Sequence, residues 1–255
     1  MTPVHAGTVV LFDLDDTLMA HREAVARGIL RHMRERAYAG DDTASQHLWH
    51  ELEERHYHRY LAGEVTFEGQ RRARARDFAR AHGDELDDDG AGDWFDRYFE
   101  RYRDAWSLHG DALPALDELV STLPGVRLGI ITNGEPDFQR AKLDRLGISD
   151  RFDHVIASGA LGVTKPDRRI FDAAIEVFAA EAPVDRAAYV GDRLRTDALG
   201  AAAAGLDGVW LDRFGVELDA DEAAEVREAR VMVMSSLEGL ARRLAARWGT
   251  APDAR

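Results

Sequence analysis

The chain has 255 residues, of which 45% are hydrophobic, so it can bury one large core or a core with a smaller second domain. Its formal net charge of −14 argues against a binder of nucleic acids or anionic membranes, because both require a positive protein surface. It has no cysteine, which excludes disulfides and thiolate zinc sites. It also has no signal-peptide pattern or membrane-spanning apolar run, so we expect a cytoplasmic protein.

The first predicted element is a buried strand that ends in clustered carboxylates. Residues 9–12 are apolar without alternation, which is typical of a strand buried on both faces of a parallel sheet. Asp13, Asp15 and Asp16 follow directly, and open parallel sheets place their chemistry at the carboxyl ends of strands. On an extended chain, Asp13 and Asp15 project to the same side.

These carboxylates indicate a metal site. Clustered carboxylates repel one another, which raises their pKa values unless a cation neutralises them. We therefore expect a hard divalent ion, Mg²⁺, with one carboxylate kept free as a nucleophile. The alternative is a strand that runs into an acidic turn, because aspartate is common in turns.

Residues 19–108 are predicted to be helical throughout. The apolar spacing favours one helix in 21–38, a second through 48–61, a third from Thr66 toward His82 and a fourth from Gly92 to Trp106. We interpret the acidic stretch 83–90 as a solvated loop. The histidines of the second helix and the arginines of the third are also interpreted as solvated surfaces, rather than as a transition-metal site or a contact to a substrate's acid group: His47, His50, His56, His58, Arg71, Arg72, Arg74 and Arg76.

From residue 111 strands and helices alternate. Strands are predicted at 127–131, 152–157, 187–190, 208–211 and 231–233, and helices at 114–123, 136–146, 167–180, 196–204 and toward Trp248. The polar stretch 214–230 fits neither pattern. The alternation predicts an α/β fold with a parallel sheet.

Polar residues form four segments, and three of these lie where strands end. The segments are Asp13, Asp15 and Thr17 at the first strand end, Thr132-Asn133-Gly134 at the second, Lys165 before Pro166, and Gly191-Asp192 with Asp197 after a later strand. In order and spacing these resemble the four motifs of the haloacid dehalogenase superfamily of aspartate-nucleophile phosphohydrolases, over residues 8–18 and 110–212. The resemblance implies a Rossmann-like core of residues 1–18 and 109–255 and a helical C1-type cap of residues 19–108.

The resemblance also implies roles for the two carboxylates of the first motif. Asp13 would be the nucleophile that forms an aspartyl-phosphate. Asp15 would protonate the leaving alkoxide and then activate water. Expelled chloride needs no proton and the dehalogenase branch lacks an aspartate here, so Asp15 favours phosphoester cleavage.

The remaining motif residues would hold phosphate and Mg²⁺. Thr132, the backbone N–H of Asn133, and Lys165 would bind the phosphate oxygens. The metal ligands would be Asp13, the backbone carbonyl of Asp15, and Asp192, while Asp197 would hold a metal-bound water or orient a ligand.

Composition gives a further argument for these motifs. The chain has 33 lysines and arginines, of which only Lys142 and Lys165 are lysine, and Asn133 is its only asparagine. One of the two lysines and the single asparagine therefore lie in motifs. A compact ammonium acts as a point charge beside phosphate and carboxylate, whereas a guanidinium is a larger fork.

The expected function is that of a Mg²⁺-dependent phosphomonoester hydrolase acting on a small phosphorylated metabolite, as a monomer or homodimer. The branch that the motifs resemble contains pyrimidine 5′-nucleotidases and sugar-acid phosphate phosphatases. A phosphomutase, a 2-haloacid dehalogenase and a catalytically silent phosphate-binding protein remain alternatives. The chain departs from the family at Asp16, where many relatives have glycine, and at Gly159-Ala160, where acidic residues are common.

Overall fold

The computed structural model describes residues 7–249. Within them, six parallel strands form one sheet in the order β3-β2-β1-β4-β5-β6. The α/β class with a Rossmann-like core is therefore confirmed. The strands are β1 (Thr8–Phe12), β2 (Arg127–Thr132), β3 (His154–Ala157), β4 (Arg186–Gly191), β5 (Asp207–Leu211) and β6 (Met232–Met234).

Strand β1 lies in the middle of the sheet because all five of its side chains are buried. It pairs with β2 on one side, Val9 opposite Arg127, and with β4 on the other. Parallel pairing brings the carboxyl ends of β1, β2 and β4 to one edge of the sheet. The residues that follow these strands are therefore neighbours in space.

Helices cover this sheet. They are α5 (Ala112–Thr122), α6 (Pro136–Leu146), α7 (Ser158–Leu161), α8 (Arg168–Glu181), α9 (Gly200–Ala203), α10 (Ala220–Glu228) and α11 (Leu240–Arg247), with a 3₁₀ turn at Ser149–Arg151. The predicted helix 196–204 is instead a π-helical segment, Leu194–Leu199, followed by α9. The unassigned stretch contains α10, which begins with a reciprocal capping box between Asp219 and Glu222. No helix in the described part of the chain is long and apolar enough to cross a membrane.

The chain divides into two compact units, and residues His21–Trp106 form the second of them. This helical unit contains α1 (His21–Glu35), α2 (Asp42–Leu61), α3 (Phe67–Ala81) and α4 (Asp88–Asp104). Its core is aromatic: Trp49, Phe78 and Trp94 are almost fully buried and their rings are in contact.

The first unit closes on itself where the chain leaves for the helical unit and returns. The Ala20 N–H donates to the Ser107 carbonyl oxygen at 2.9 Å, and the His109 N–H donates to the Leu18 carbonyl oxygen at 2.9 Å. Met19 and Leu108 form an antiparallel bridge between these two bonds. We call this short ladder the neck.

Part of the acidic stretch 83–90 is helical, contrary to the prediction of a loop. Helix α4 begins at Asp88 rather than at Gly92, and the Asp87 side chain accepts a hydrogen bond from the Gly90 N–H at 2.8 Å. Aspartate is a strong N-cap, and carboxylates in a first turn interact favourably with the helix dipole. Several of the acidic residues that suggested a loop therefore lie at the start of helix α4.

Two side chains interpreted as solvated are buried in the helical unit. His56 is 4% exposed and its Nε2 lies 2.8 Å from Asp77 Oδ2. Arg74 is 6% exposed, pairs with Glu53, and its guanidinium carbon lies 4.6 Å from the Trp49 ring centroid. The buried polar group of each side chain is paired with a carboxylate from another helix, and the spacing within one helix does not reveal that partner.

Candidate active site

Lys165 lies at the centre of the candidate site. Its Nζ is 2.7 Å from Asp13 Oδ1, 2.8 Å from Asp197 Oδ1 and 2.6 Å from the Tyr189 hydroxyl oxygen. The Tyr189 hydroxyl donates to the Ile131 carbonyl oxygen at 2.9 Å. Three of the predicted motifs, which follow β1, β3 and β4, therefore meet around one buried ammonium.

Burial and mutual repulsion disfavour the ionised forms of the carboxylates of Asp13, Asp192 and Asp197. Burial raises the pKa of Asp13 to about 6 even though Lys165 lowers it. Burial, together with Asp13 and Asp197, raises the pKa of Asp192 to about 8. Burial lowers the pKa of Lys165, but Asp13 and Asp197 outweigh that effect and hold it above its ordinary value. One lysine thus does not neutralise the cluster.

Asp13, Asp192 and Asp197 each offer a carboxylate oxygen, and these oxygens lie within 4.8 Å of one another. This is the donor set that a hard divalent cation prefers. The carboxylate of Asp15 is not part of the group, and its predicted metal ligand is the backbone carbonyl.

Asp197 is held in place by both of its carboxylate oxygens. Oδ1 accepts from Lys165, and Oδ2 accepts from the Arg193 N–H at 3.0 Å. A Cβ on Gly191 would overlap the Asp197 side chain, so the glycine at this strand end allows the close approach. Asp197, at 1% exposed, suits the role of orienting a ligand.

The second motif lies beside the lysine loop. Thr132 ends β2 and is 2% exposed. The Asn133 side chain donates to the Lys165 carbonyl oxygen at 3.0 Å and accepts from the Lys165 N–H at 2.8 Å. This reciprocal pair requires one donor and one acceptor, which gives a physical reason for the chain's only asparagine. The Asn133 backbone N–H remains the predicted phosphate ligand.

Asp15 has a partner that the motif analysis did not assign. The Lys142 Nζ lies 2.7 Å from each of the two Asp15 carboxylate oxygens. The Lys142 side chain is 2% exposed and that of Asp15 is 30% exposed. The sequence held a signal for this partner, because Lys142 is one of only two lysines in the chain.

One smaller interpretation changes in the loop after β1. The strand ends at Phe12, so the two carboxylates do not follow strand alternation and instead contact different lysines. The buried Thr17 hydroxyl has no hydrogen-bond partner among the described residues. Asp16 has φ = 61°, which explains why glycine suits this position in relatives and why aspartate tolerates it.

The loss of acidic residues at Gly159-Ala160 is accompanied by a carboxylate from another segment. A Cβ on Gly159 would lie 2.7 Å from Glu135 Oε2, so the Glu135 side chain occupies that space. The Gly159 N–H also donates to the Gly134 carbonyl oxygen at 3.1 Å. A larger residue at position 159 would require the Glu135 side chain to move.

Comparison with known proteins agrees with this arrangement. A model of haloacid dehalogenase-like hydrolases matches residues 8–205. The chain is 41% identical over 115 residues, 45% of each protein, to the phosphoserine phosphatase of Thermus thermophilus. It is 40% identical over 101 residues, 39% of this chain and 44% of the other, to the pyrimidine 5′-nucleotidase YjjG of Escherichia coli. Both matches span less than half of the relative's length.

A solved structure extends the likeness to the whole fold. The 2-haloacid dehalogenase of Pseudomonas syringae covers 94% of this chain and 99% of its own, with a TM-score of 0.61 and 27% identity. The names of the two curated relatives agree with the phosphatase branch that the motifs resemble. Because the family model spans both the core and the helical unit, the chain belongs to the haloacid dehalogenase-like hydrolase family.

Proposed function

We propose that this protein is a Mg²⁺-dependent phosphomonoester hydrolase that acts on a small phosphorylated metabolite through an aspartyl-phosphate on Asp13. The observation that carries the proposal is the convergence of Asp13, Lys165, Asp192 and Asp197 at one sheet edge, with Asp15 held separately by Lys142. The phosphatase names of the curated relatives support the same reaction class.

The residues present fit a divalent cation. Asp13, Asp192 and Asp197 supply clustered oxygens, and the raised pKa of Asp192 reflects burial near other carboxylates without sufficient compensation. Asp13 and Asp192 would hold the ion with the Asp15 backbone carbonyl, and Asp197 would orient its surroundings. Bound Mg²⁺ would supply positive charge that offsets the charge of Asp13 and of the phosphate.

In the first half-reaction, a carboxylate oxygen of Asp13 attacks phosphorus as the bond to the leaving oxygen breaks. Asp15 gives its proton to that oxygen, so the product leaves as an alcohol. Lys165 offsets the negative charge shared by Asp13 and the transferring phosphoryl group. Thr132 and the Asn133 N–H hold the phosphoryl oxygens.

In the second half-reaction, water attacks phosphorus and the bond from phosphorus to Asp13 breaks. Asp15, now a carboxylate, takes the proton from water, so inorganic phosphate is released and both aspartates return to their starting states. The same residue thus acts once as acid and once as base.

Dehalogenation is the second candidate, because the whole fold is similar to a 2-haloacid dehalogenase. The argument against it is Asp15 and its lysine. A halide leaves without a proton, so the first step of that reaction does not need a general acid. Phosphate transfer to a sugar and a silent binding role are separated from hydrolysis by the same experiment.

The test is a panel of phosphorylated metabolites assayed for released phosphate with Mg²⁺, alongside 2-chloropropionate assayed for released chloride. Hydrolysis of at least one nucleoside monophosphate, sugar phosphate or similar monoester is expected, and Asp13→Asn is the control that removes the nucleophile. Chloride release without phosphate release would favour the dehalogenase. Turnover of a folded phosphoprotein with no small monoester hydrolysed would contradict the proposed substrate class.

A further inference from the structure

We propose that Lys142 is a positioning residue that fixes the ionised Asp15 carboxylate for taking the proton from water in the second half-reaction. This inference rests on the proposed function and assigns a role to a residue outside the four motifs. Its basis is the symmetric contact between the Lys142 Nζ and both Asp15 oxygens at 2.7 Å. A contact to one oxygen would let the carboxylate rotate, whereas contacts to both restrict the direction of each lone pair.

The exposure of the two partners differs in the way that this role requires. The Lys142 side chain is 2% exposed, whereas that of Asp15 is 30% exposed. The ammonium therefore lies beneath the carboxylate, whose accessible part faces away from the lysine. A proton-transferring group must reach its substrate, and the exposed part of Asp15 allows this.

The lysine is carried on a rigid element connected to the phosphate loop. Helix α6 begins at Pro136, shortly after Thr132, and Lys142 lies in its interior. The Phe138 ring, one turn earlier, lies 4.7 Å from the Nζ and limits its movement. Groups that must hold a reacting side chain are more precise on helices than on loops.

The pair of Lys142 and Asp15 differs from the structural ion pairs in the type of its basic residue. Two buried structural ion pairs use arginine: Arg213 with Asp111 at 2.8 Å and Arg74 with Glu53. The chain has 33 lysines and arginines but only two lysines, and these contact Asp13 and Asp15. Lysine is thus kept where a compact point charge must meet a carboxylate of the site.

The experiment compares Lys142→Met with Arg140→Met, a control that removes one charge from an exposed position of the same helix. Because misplacing a catalytic group by about 1 Å can cost about 100-fold, we expect Lys142→Met to lower kcat by about 10- to 100-fold on a monoester. The inhibition constant of inorganic phosphate should stay unchanged, because Thr132, Asn133 and Lys165 are intact. Arg140→Met should keep the parental kcat.

A double variant tests whether Lys142 acts through Asp15. The kcat of Asp15→Asn with Lys142→Met should equal that of Asp15→Asn alone, since the lysine then has no carboxylate to place. A further tenfold fall in the double variant would overturn the inference. So would a parental kcat in Lys142→Met, or a loss of phosphate affinity equal to the loss of kcat.

If Lys142→Met does not fold, Lys142→Arg carries the test, because it keeps the buried cation and replaces the point charge with a fork. A lower kcat with unchanged phosphate inhibition supports the inference, and parental kcat contradicts it. Failure of the proposed function has a different signature: the parental enzyme releases no phosphate, or Asp13→Asn is as active as the parent. The inference on Lys142 then falls with it.

Discussion

Acidification should destabilise the helical unit through one buried histidine, His32. This side chain is 1% exposed, and its ring lies 4.3 Å from that of Trp94 in an edge arrangement. Neither ring nitrogen has a hydrogen-bond partner among the described residues. Burial, assisted by the nearby positive charge of Arg36, lowers the pKa of His32 from 6.5 to about 4.

The sign and size follow from proton linkage. The folded state keeps His32 neutral, while the unfolded chain takes up a proton near pH 6.5, so stability is retained above that pH and lost as pH falls toward 4. With these two pKa values, lowering the pH from 7 to 5 should cost at most about 2 kcal/mol of unfolding free energy. Other groups titrate in this range, so a variant must isolate the histidine.

The assay is urea unfolding, followed by tryptophan fluorescence between pH 7 and pH 5, of the parental protein and His32→Leu. The leucine variant cannot take up the proton, so the difference in unfolding free energy between the two proteins should change by about 2 kcal/mol over this range. His58→Leu is the matched control, because that side chain is 69% exposed. A difference that stays flat with pH for His32→Leu would refute the reasoning.

Three further outcomes concern the site. Asp13→Asn should lose several orders of magnitude in kcat while keeping its fold, measured by phosphate release and circular dichroism; near-parental turnover would exclude the aspartyl-phosphate. Lys165→Met should lower the free energy of unfolding of the metal-free protein by about 3–5 kcal/mol, because Asp13 and Asp197 stay buried without the Lys165 ammonium. An unchanged midpoint in denaturant titration would contradict this. Asn133→Asp should cost about 1–3 kcal/mol in the same titration, because it removes the donor to the Lys165 carbonyl. Exposed Asp137→Asn, which removes only a charge in the first turn of α6, should cost less than about 1 kcal/mol.

The sequence was sufficient to predict most of the residues that meet at the sheet edge, because three of the four motifs follow strands directly and parallel strands end together. It did not predict Tyr189, which also contacts Lys165. Pairing across the fold was harder to predict. Lys142 and Asp15 are far apart in the chain, and the buried partners of His56 and Arg74 lie on other elements. The cap at Asp87 was visible in sequence, but its neighbouring charges favoured a loop.

Asn133 illustrates the same limit within a motif. Its position was predicted from the strand end, but the use of its side chain was not, because the reciprocal pair with Lys165 depends on how two loops approach each other. Spacing along a strand or helix predicts which residues share a face. It carries no information about the groups that a distant loop brings to them.

The neck has a consequence for how the protein folds. Strand β1 can complete its pairing only when Arg127 and the residues after it are available, which requires closing a very long stretch of chain. The neck holds Ala20 beside Ser107, so once the helical unit has folded, that unit lengthens the connection from β1 to β2 no more than a hairpin turn would. The entropy cost of closing that connection is then lower. We therefore expect early formation of the helical unit to speed assembly of the sheet. We also expect that replacing residues 21–106 with a two-residue turn leaves the course of β1 unchanged.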